Sequence, residues 1–275
     1  MKLVSTPRGV ARVEGDELAV LETPWPDLGA VLAATGGLDV LAGAPVVDRL
    51  PLAGARLGPP VPRPGKVWAI GLNYRTHIAE MGRVVPPDPV VFIKVSSAVV
   101  GPSDLVRRPA IAPGKVDFEG EVAVVIGRVA SSVSEADAWS HVAAVTACDD
   151  VTARDVQESS GNFGLAKSFD TFCPLGASLA TLDEYDDPDD IGLQTLVDGA
   201  VRQDARTSDL LFPVPFLVSW LSRHTTLWPG DVISTGTPAG VGHPEGRYLQ
   251  PGSTVEVRVE GVLSLVNRVA PDEAP

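Results

Sequence analysis

The segment V-D-F-E-G-E-V-A-V-V-I-G, residues 116–127, most restricts how this chain can fold. Its later part, residues 122–126, is an unbroken apolar and largely β-branched run, which is typical of a buried β-strand. Glu119 and Glu121 stand two residues apart just before that run, and in a strand this spacing puts both carboxylates on one face. The sequence therefore predicts two negative charges side by side where a core strand begins.

Two buried carboxylates repel each other, and each resists the loss of its hydrating water. A hard divalent cation relieves both problems, because sites made only of oxygen ligands suit Mg²⁺, Mn²⁺ or Ca²⁺. The alternative is that the pair points into solvent at a strand end. From this segment alone the solvent alternative is the more common outcome, so the rest of the chain has to decide.

Composition limits the classes of function. The chain has 275 residues, 44% of them hydrophobic, which is enough for one large domain with a small appendage. Its net charge of −13 argues against nucleic acid and anionic membranes as partners, but not against a small anionic substrate bound at a local positive group or metal. Cys148 and Cys173 are the only cysteines and form no metal-binding motif, so we expect a reducing, cytoplasmic location. No signal peptide or transmembrane run is evident.

The chain divides into two predicted regions. Residues 1–63 form a small N-terminal domain and linker, with a hairpin turning at residues 14–16 and a short helix within residues 28–41. The linker is the Pro/Gly-rich stretch at residues 56–65. Residues 64–275 form the main, catalytic domain.

His77 and Glu80 are the first candidate pair of that domain. Residues 72–82 favour a helix ending at Gly82, which places the two side chains on one face, three residues apart. A carboxylate beside an imidazole orients it and raises its basicity, as in a general base that takes a proton from water. Taken alone, the pattern is more often a solvated helix pair of a few tenths of a kcal/mol.

Asp149, Asp150 and two lysines are further candidates. The aspartates end a predicted strand at residues 145–151, where one can supply a third carboxylate and the other can cap the following helix. Lys94 ends a strand and either lines a site or reaches the surface. Lys167 stands between apolar residues, where it either stabilises a developing enolate or is an ordinary surface lysine.

The remaining pattern predicts mostly strands and loops. The Gly/Pro-rich loop at residues 228–242 exposes backbone N–H groups that, with Thr237, can cradle a carboxylate. The other predicted elements are a helix at residues 134–144 capped by Ser134, a mobile loop at 159–163, a hairpin at 193–202, a helix at 207–221 kinked at Pro213 and Pro215, and two strands at 254–269.

Six segments occur in an order that resembles the fumarylacetoacetate hydrolase family from about residue 64 onward. They are G-L-N-Y-R-T-H-I-A-E (71–80), F-I-K (92–94), D-F-E-G-E-V-A-V-V-I-G (117–127), D-D-V-T-A-R-D-V-Q (149–157), L-A-K-S-F-D-T-F-C-P-L-G (165–176) and P-G-D-V-I-S-T-G-T-P-A-G-V-G (229–242). The resemblance implies a mainly β fold with a few helices (α+β), namely a mixed β-sandwich roll with a small N-terminal domain. It also implies a homodimer and a bound Mg²⁺ or Mn²⁺, with Ca²⁺ as a substitute.

The resemblance also implies the role of each candidate residue. The metal ligands are Glu119, Glu121 and Asp150; the catalytic residues are His77, Glu80 and Lys167; the substrate-binding residues are Lys94, Arg154, Gln157 and Thr237. The predicted reaction is hydrolysis of a C–C bond in a β-diketo acid, such as an acylpyruvate or fumarylpyruvate, through a metal-stabilised enolate. The alternatives are decarboxylation of oxaloacetate, isomerisation or lyase cleavage of a 2-hydroxy-diene-dioate, and a non-catalytic binding module.

Overall fold

The computed structural model describes residues 1–271 of the chain, and its fold is built mainly from β-strands. The strands are β1 (Lys2–Thr6), β2 (Gly9–Glu14), β3 (Glu17–Leu21), β4 (Val46–Pro51), β5 (Val67–Gly71), β6 (Val90–Lys94), β7 (Val99–Val100), β8 (Leu105–Val106), β9 (Val116–Asp117), β10 (Gly120–Ile126), β11 (Val142–Asp149), β12 (Thr152–Ala153), β13 (Cys173–Pro174), β14 (Leu179–Thr181), β15 (Gly192–Val197), β16 (Ala200–Arg206), β17 (Val232–Ser234), β18 (Thr254–Val259) and β19 (Leu265–Val269). The α-helices are α1 (Leu28–Thr35), α2 (Arg75–Glu80), α3 (Arg154–Ser160), α4 (Phe163–Ala166) and α5 (Val214–His224). The predicted class, mainly β with a few helices, is confirmed.

A ten-stranded sheet runs in the order β4-β3-β2-β1-β14-β11-β10-β17-β5-β6. The strands β10 and β11 pair antiparallel near its centre, and every residue of β10 is buried. This agrees with the apolar run at residues 122–126. Residues 116–127 therefore lead into a central strand, β10, which pairs with β11 on one side and β17 on the other.

A five-stranded sheet, in the order β16-β15-β18-β19-β8, packs against one face of the large sheet. Val122 and Val124 of β10 belong to the same buried cluster as Leu193, Val257 and Leu265 of the smaller sheet. Burying apolar side chains between two sheets is the main stabilising contribution in such a fold. No helix within residues 1–271 has the length and apolar character needed to cross a membrane.

The first four strands extend the large sheet, because β1 pairs with β14. Leu3 and Val10 share a buried cluster with Val125 and Ala144 from the centre of the sheet. The hairpin at residues 14–16 and a helix within residues 28–41 are found where they were predicted. The division of the chain between residues 63 and 64 stays a prediction.

Three local predictions were wrong. The predicted helix at 134–144 does not form: only a four-residue 3₁₀ turn, Ala138–His141, lies within it, and residues 142–144 already belong to β11, because pairing with β10 outweighs the local helical pattern. The strand predicted at 145–151 is found as the later part of β11, which ends at Asp149. Ser134 closes a turn by bonding Asp137 rather than capping a helix. The predicted helix at 207–221 starts only at Val214, because Pro213 sits at its N-cap position. The predicted loop at 159–163 contains the end of α3 and the start of α4.

Candidate metal centre and its cavity

Glu119 and Glu121 lie at the start of β10 and are 5% and 1% exposed, so the solvent alternative is wrong. Gly120 between them is closely covered: a Cβ there would collide with the hydroxyl of Thr195 in β15. The smaller sheet therefore approaches the backbone from the side opposite the carboxylates. Glycine at this position lets both glutamates turn toward the interior without a clash behind them.

Asp149 and Asp150 lie where β11 ends, and they take different roles. The Oδ1 atom of Asp149 accepts a hydrogen bond of 2.8 Å from the Glu119 backbone N–H. Asp150 instead joins the glutamates, and carboxylate oxygens of Glu119, Glu121 and Asp150 lie within 4.8 Å of one another. Neither aspartate caps α3, whose N-cap position is Ala153. The predicted third carboxylate is therefore Asp150, and Asp149 holds the backbone of Glu119.

Two buried lysines contact Asp150. The Nζ atom of Lys167 lies 2.6 Å from both Glu119 Oε2 and Asp150 Oδ2. The Nζ atom of Lys94 lies 2.5 Å from Asp150 Oδ1 and 2.5 Å from the carbonyl oxygen of Lys167. Both side chains are nearly or fully buried, so the surface alternatives for them are wrong.

Arg154 and Asp117 form a second buried charge pair next to the centre. The guanidinium of Arg154 places Nε 2.9 Å and Nη2 2.8 Å from Asp117 Oδ2. Nη2 also lies 2.6 Å from Glu119 Oε1, and Nη1 donates to Gln157 Oε1 at 3.0 Å. Asp117 had no role in the sequence analysis, although it stands two residues before Glu119 and continues the same strand-like spacing.

The surroundings move the pKa values of Glu119 and Glu121 in opposite directions. Burial alone would raise the pKa of Glu119, but the positive charges of Lys167 and Arg154 lower it well below its usual range. Burial raises the pKa of Glu121 well above its usual range, and repulsion from Asp150 and Glu119 adds to this. Glu121 forms no ion pair within residues 1–271, and its Oε2 only accepts hydrogen bonds from Ser234 Oγ (2.5 Å) and Gly236 N–H (2.9 Å).

These residues fit a hard divalent cation. The donor set consists of carboxylate oxygens, and within residues 1–271 one of the three buried carboxylates, that of Glu121, has no ion-pair partner. A cation bound between the three would offset both the burial and the carboxylate repulsion that raise the pKa of Glu121.

His77 and Glu80 lie on one face of α2, as predicted, with His77 Nδ1 3.1 Å from Glu80 Oε2. The other oxygen, Oε1, accepts a 2.8 Å hydrogen bond from the Gly240 N–H, so this pair is held by the 228–242 loop and is not a solvated helix pair. His77 is 6% exposed. It opens onto a cavity of about 390 Å³ that is also lined by Glu119 and Glu121.

The cavity combines polar and apolar walls. Its polar lining comprises His77, Arg83, Glu119, Glu121, Arg154, Gln157, Glu158, Lys167, Thr237 and His243. Its apolar lining comprises Ile70, Leu72, Met81, Val90, Phe92 and Phe163. Lys94 is not part of the lining and instead lies fully buried behind Asp150.

The 228–242 loop cradles carboxylates, but they belong to the protein itself. Backbone N–H groups of Gly236, Gly240 and Gly242 donate to Glu121, Glu80 and Asp117, respectively. Thr237 donates its hydroxyl proton to the carbonyl oxygen of Gly120 at 2.9 Å while lining the cavity. The loop therefore fixes three acidic side chains of the site.

Comparisons with known proteins find one family along most of the chain. The family model described as fumarylacetoacetate (FAA) hydrolase C-terminal matches residues 66–270. The oxaloacetate tautomerase YisK of Bacillus subtilis is 37% identical over 223 residues, which cover 79% of this chain and 74% of that protein. The solved 2-hydroxyhepta-2,4-diene-1,7-dioate isomerase from Mycobacterium marinum is 37% identical with a TM-score of 0.81, covering 100% of both chains. The fumarylacetoacetate hydrolase from Exiguobacterium antarcticum is 35% identical with a TM-score of 0.86, covering 99% of this chain and 100% of that one.

Proposed function

The chain belongs to the fumarylacetoacetate hydrolase family of enzymes, and from this premise we propose that it interconverts the enol and keto forms of a small 2-oxo dicarboxylic acid of the oxaloacetate type. One observation carries the proposal. A histidine–carboxylate pair and a buried carboxylate centre open onto the same cavity, so a proton-transferring base and a site for an enolate oxygen are next to each other.

We assign the metal site to Glu119, Glu121 and Asp150, with Mg²⁺ or Mn²⁺ as the physiological ion and Ca²⁺ as a substitute. When bound, such an ion acts as a Lewis acid toward the oxygens of a 2-oxo acid. Lys94 and Asp149 support this site from behind, since each contacts one of its members and neither lines the cavity. We therefore assign Lys94 a positioning role instead of the substrate contact predicted for it.

His77 is the group to which we assign proton transfer. Glu80 engages its Nδ1, which leaves the Nε2 lone pair as the base that takes a proton from C3 of the keto form to give the enolate, whose C2 oxygen then takes a proton from water. In the reverse direction the enol hydroxyl gives its proton to water, and the imidazolium returns its proton to C3 of the enolate. The Gly240 N–H holds Glu80 in place, so the orientation of the ring depends on the loop as well as on the helix. We assign the Lys167 ammonium, which lines the cavity beside Glu119, to the oxygen at C2, where negative charge develops.

Arg154, Gln157 and Thr237 are proposed to contact the substrate, because all three line the cavity. Arg154 is already engaged by Asp117 and Glu119, so it is rigidly held before a ligand arrives. The exposed Arg83 adds a positive charge at the cavity. These cations favour an anionic substrate in a protein whose net charge is −13.

Hydrolysis of an acylpyruvate or fumarylpyruvate, the reaction predicted from the sequence, is the second candidate. The same His77–Glu80 pair can take a proton from water, and a fumarylacetoacetate hydrolase is among the similar structures. Decarboxylation and diene-dioate isomerisation would use the same centre. The tautomerase comes first because it needs only the proton transfer that the pair provides, and because a tautomerase is a similar relative. A homodimer in the cytoplasm, without nucleic-acid or membrane partners, stays a prediction.

The deciding experiment is an ultraviolet assay of enol-oxaloacetate and acetylpyruvate side by side, with Mg²⁺, with Mn²⁺ and with EDTA. We expect metal-dependent, EDTA-sensitive loss of the oxaloacetate enol band without release of pyruvate.

His77→Gln should abolish this activity, and the matched variant His224→Gln, at an exposed helix end, should leave it unchanged. Release of pyruvate and acetate from acetylpyruvate would support the hydrolase, and release of pyruvate from oxaloacetate would support a decarboxylase.

A further inference from the structure

His243 lines the cavity but had no role in the sequence analysis. Its backbone N–H donates to Asp117 Oδ2 at 3.0 Å, and the preceding Gly242 N–H donates to Asp117 Oδ1 at 2.9 Å. A Cβ on Gly242 would collide with the carbonyl oxygen of Arg247, so the loop backbone is closely packed here. A fully buried carboxylate therefore fixes the position of His243.

Asp117 connects the loop that carries Gly242 and His243 to the carboxylate centre, and the connecting residue is Arg154. The carboxylate that holds the His243 backbone also holds the guanidinium of Arg154, which in turn contacts Glu119. His243 consequently lies on the same wall as the carboxylate centre, beyond Arg154. A ligand bound at the centre therefore shares one cavity with His243.

Within the described part of the chain, one ring nitrogen of His243 has no hydrogen-bond partner. Its Nδ1 lies 3.1 Å from the Tyr248 hydroxyl, and its Nε2 lies 3.7 Å from Glu158 Oε1. The nearby negative charge favours the proton on Nε2, with the Tyr248 hydroxyl donating to Nδ1. At 3.7 Å the contact with Glu158 is too long for a hydrogen bond, and Glu158 is already paired with Lys115 at 2.7 Å.

The ring is also accessible, and its surroundings favour the uncharged form. A quarter of the side chain, 25%, is exposed. Burial lowers the pKa of His243, and the positive charge of Arg154 lowers it further. A neutral imidazole with a fixed tautomer can donate one hydrogen bond in a defined direction.

We propose that His243 is a specificity-determining residue, whose Nε2–H donates to the carboxylate at the end of the substrate that lies away from the metal centre. This rests on the proposed function, because it assigns the second carboxylate of the same 2-oxo dicarboxylic acid. Asp117 is the positioning residue that holds His243 and Arg154 at their places on the wall.

The first test compares His243→Phe, which keeps a ring but removes the donor, with His243→Gln, which keeps a donor. For oxaloacetate we expect His243→Phe to raise KM by about tenfold or more, the loss typical of a hydrogen bond to a charged group, with kcat within about threefold. His243→Gln should recover most of this loss. A fall in kcat with unchanged KM, or equal effects of both variants, would overturn the assignment.

The second test is independent of turnover. Calorimetry measures binding of L-malate and L-lactate to the Mg²⁺-loaded protein, since both chelate through a carboxylate and a 2-hydroxyl but only malate has the second carboxylate. We expect the wild type to prefer malate and His243→Phe to lose that preference through weaker malate binding, with lactate unchanged. An unchanged preference overturns the assignment of His243. A lost preference in a protein that does not act on oxaloacetate would instead refute the tautomerase and retain the carboxylate site.

Discussion

Lys94 and Lys167 contact opposite oxygens of Asp150, and they belong to two different regions of the molecule. Lys94 reaches Oδ1 from behind, where it is fully buried and also donates to the carbonyl oxygen of Lys167. Lys167 reaches Oδ2 and Glu119 Oε2 from the cavity side. The two side chains share a residue type, a partner and near-complete burial, but only one can meet a ligand.

The difference separates charge that maintains the fold from charge that takes part in chemistry. A buried carboxylate needs a compensating cation whether or not a ligand is bound, and Lys94 provides one from the side that solvent never reaches. Lys167 binds two of the three carboxylates of the proposed metal site, so its interaction with them changes whenever a cation or substrate enters. We expect substitutions behind the centre to act on stability and those in front to act on activity.

Lys167→Met should give the largest effect. Removing the cation beside the developing enolate should lower kcat by about a hundredfold to a thousandfold, the range found when one charge-stabilising donor is removed. The variant should fold, and Mg²⁺ should raise its melting temperature more than that of the wild type, because the ion no longer competes with the ammonium for Glu119 and Asp150. Lys2→Met, in β1, is the matched control. A smaller Mg²⁺-induced rise than in the wild type would contradict this interpretation.

Lys94→Met should mainly destabilise the metal-free protein. It leaves the Oδ1 atom of Asp150 buried without its cation, a change that typically lowers the free energy of unfolding by about 3–5 kcal/mol. Denaturant unfolding in EDTA measures this loss. Adding Asp150→Asn to the variant removes the carboxylate charge that has lost one of its two lysine partners, and it should recover part of the stability. If the double variant were no more stable than Lys94→Met alone, the charge-pair explanation would fail.

Asp149→Asn should change how stability depends on pH. Burial raises the pKa of Asp149 to about 7, although its backbone hydrogen bond with Glu119 opposes the shift. Between about pH 4, where the unfolded chain loses this proton, and about pH 7, the folded protein retains it, so stability falls as pH rises. The variant lacks this contribution. Between about pH 5 and about pH 8, its free energy of unfolding in EDTA should fall by on the order of 1–3 kcal/mol less than that of the wild type. Parallel pH profiles of the two proteins would exclude Asp149 as the source.

Near neutral pH, each metal ion that binds should release between a fraction of a proton and about one proton, which is the smallest of the four effects. The pKa of Glu121 lies well above its usual range in the metal-free protein, because of burial and the charges of Asp150 and Glu119. Binding of the ion requires the ionised form, so affinity should increase with pH until Glu121 ionises on its own. Calorimetry in two buffers of different ionisation enthalpy counts the protons. The same binding enthalpy in both buffers would show that Glu121 is already ionised.

Much of the site was predictable because its residues share short segments. The spacing of Glu119 and Glu121 on a strand sets their common direction, and the spacing of His77 and Glu80 on a helix sets theirs. The wrong helix at residues 134–144 shows the limit of local pattern. There the deciding interaction is the ladder between β10 and β11, which joins residues about twenty positions apart.

The sequence by itself determined that this chain has a buried strand beginning with two carboxylates, a mainly β fold and a place in its family. Only the tertiary structure decided that Lys94 lies behind Asp150 and Lys167 in front, and that the loop amides bind Glu121, Glu80 and Asp117. The physical reason is the range of the interactions. Backbone periodicity orients side chains within one element, whereas groups more than a hundred residues apart, such as Asp117 and His243, meet only through the packing of the whole fold.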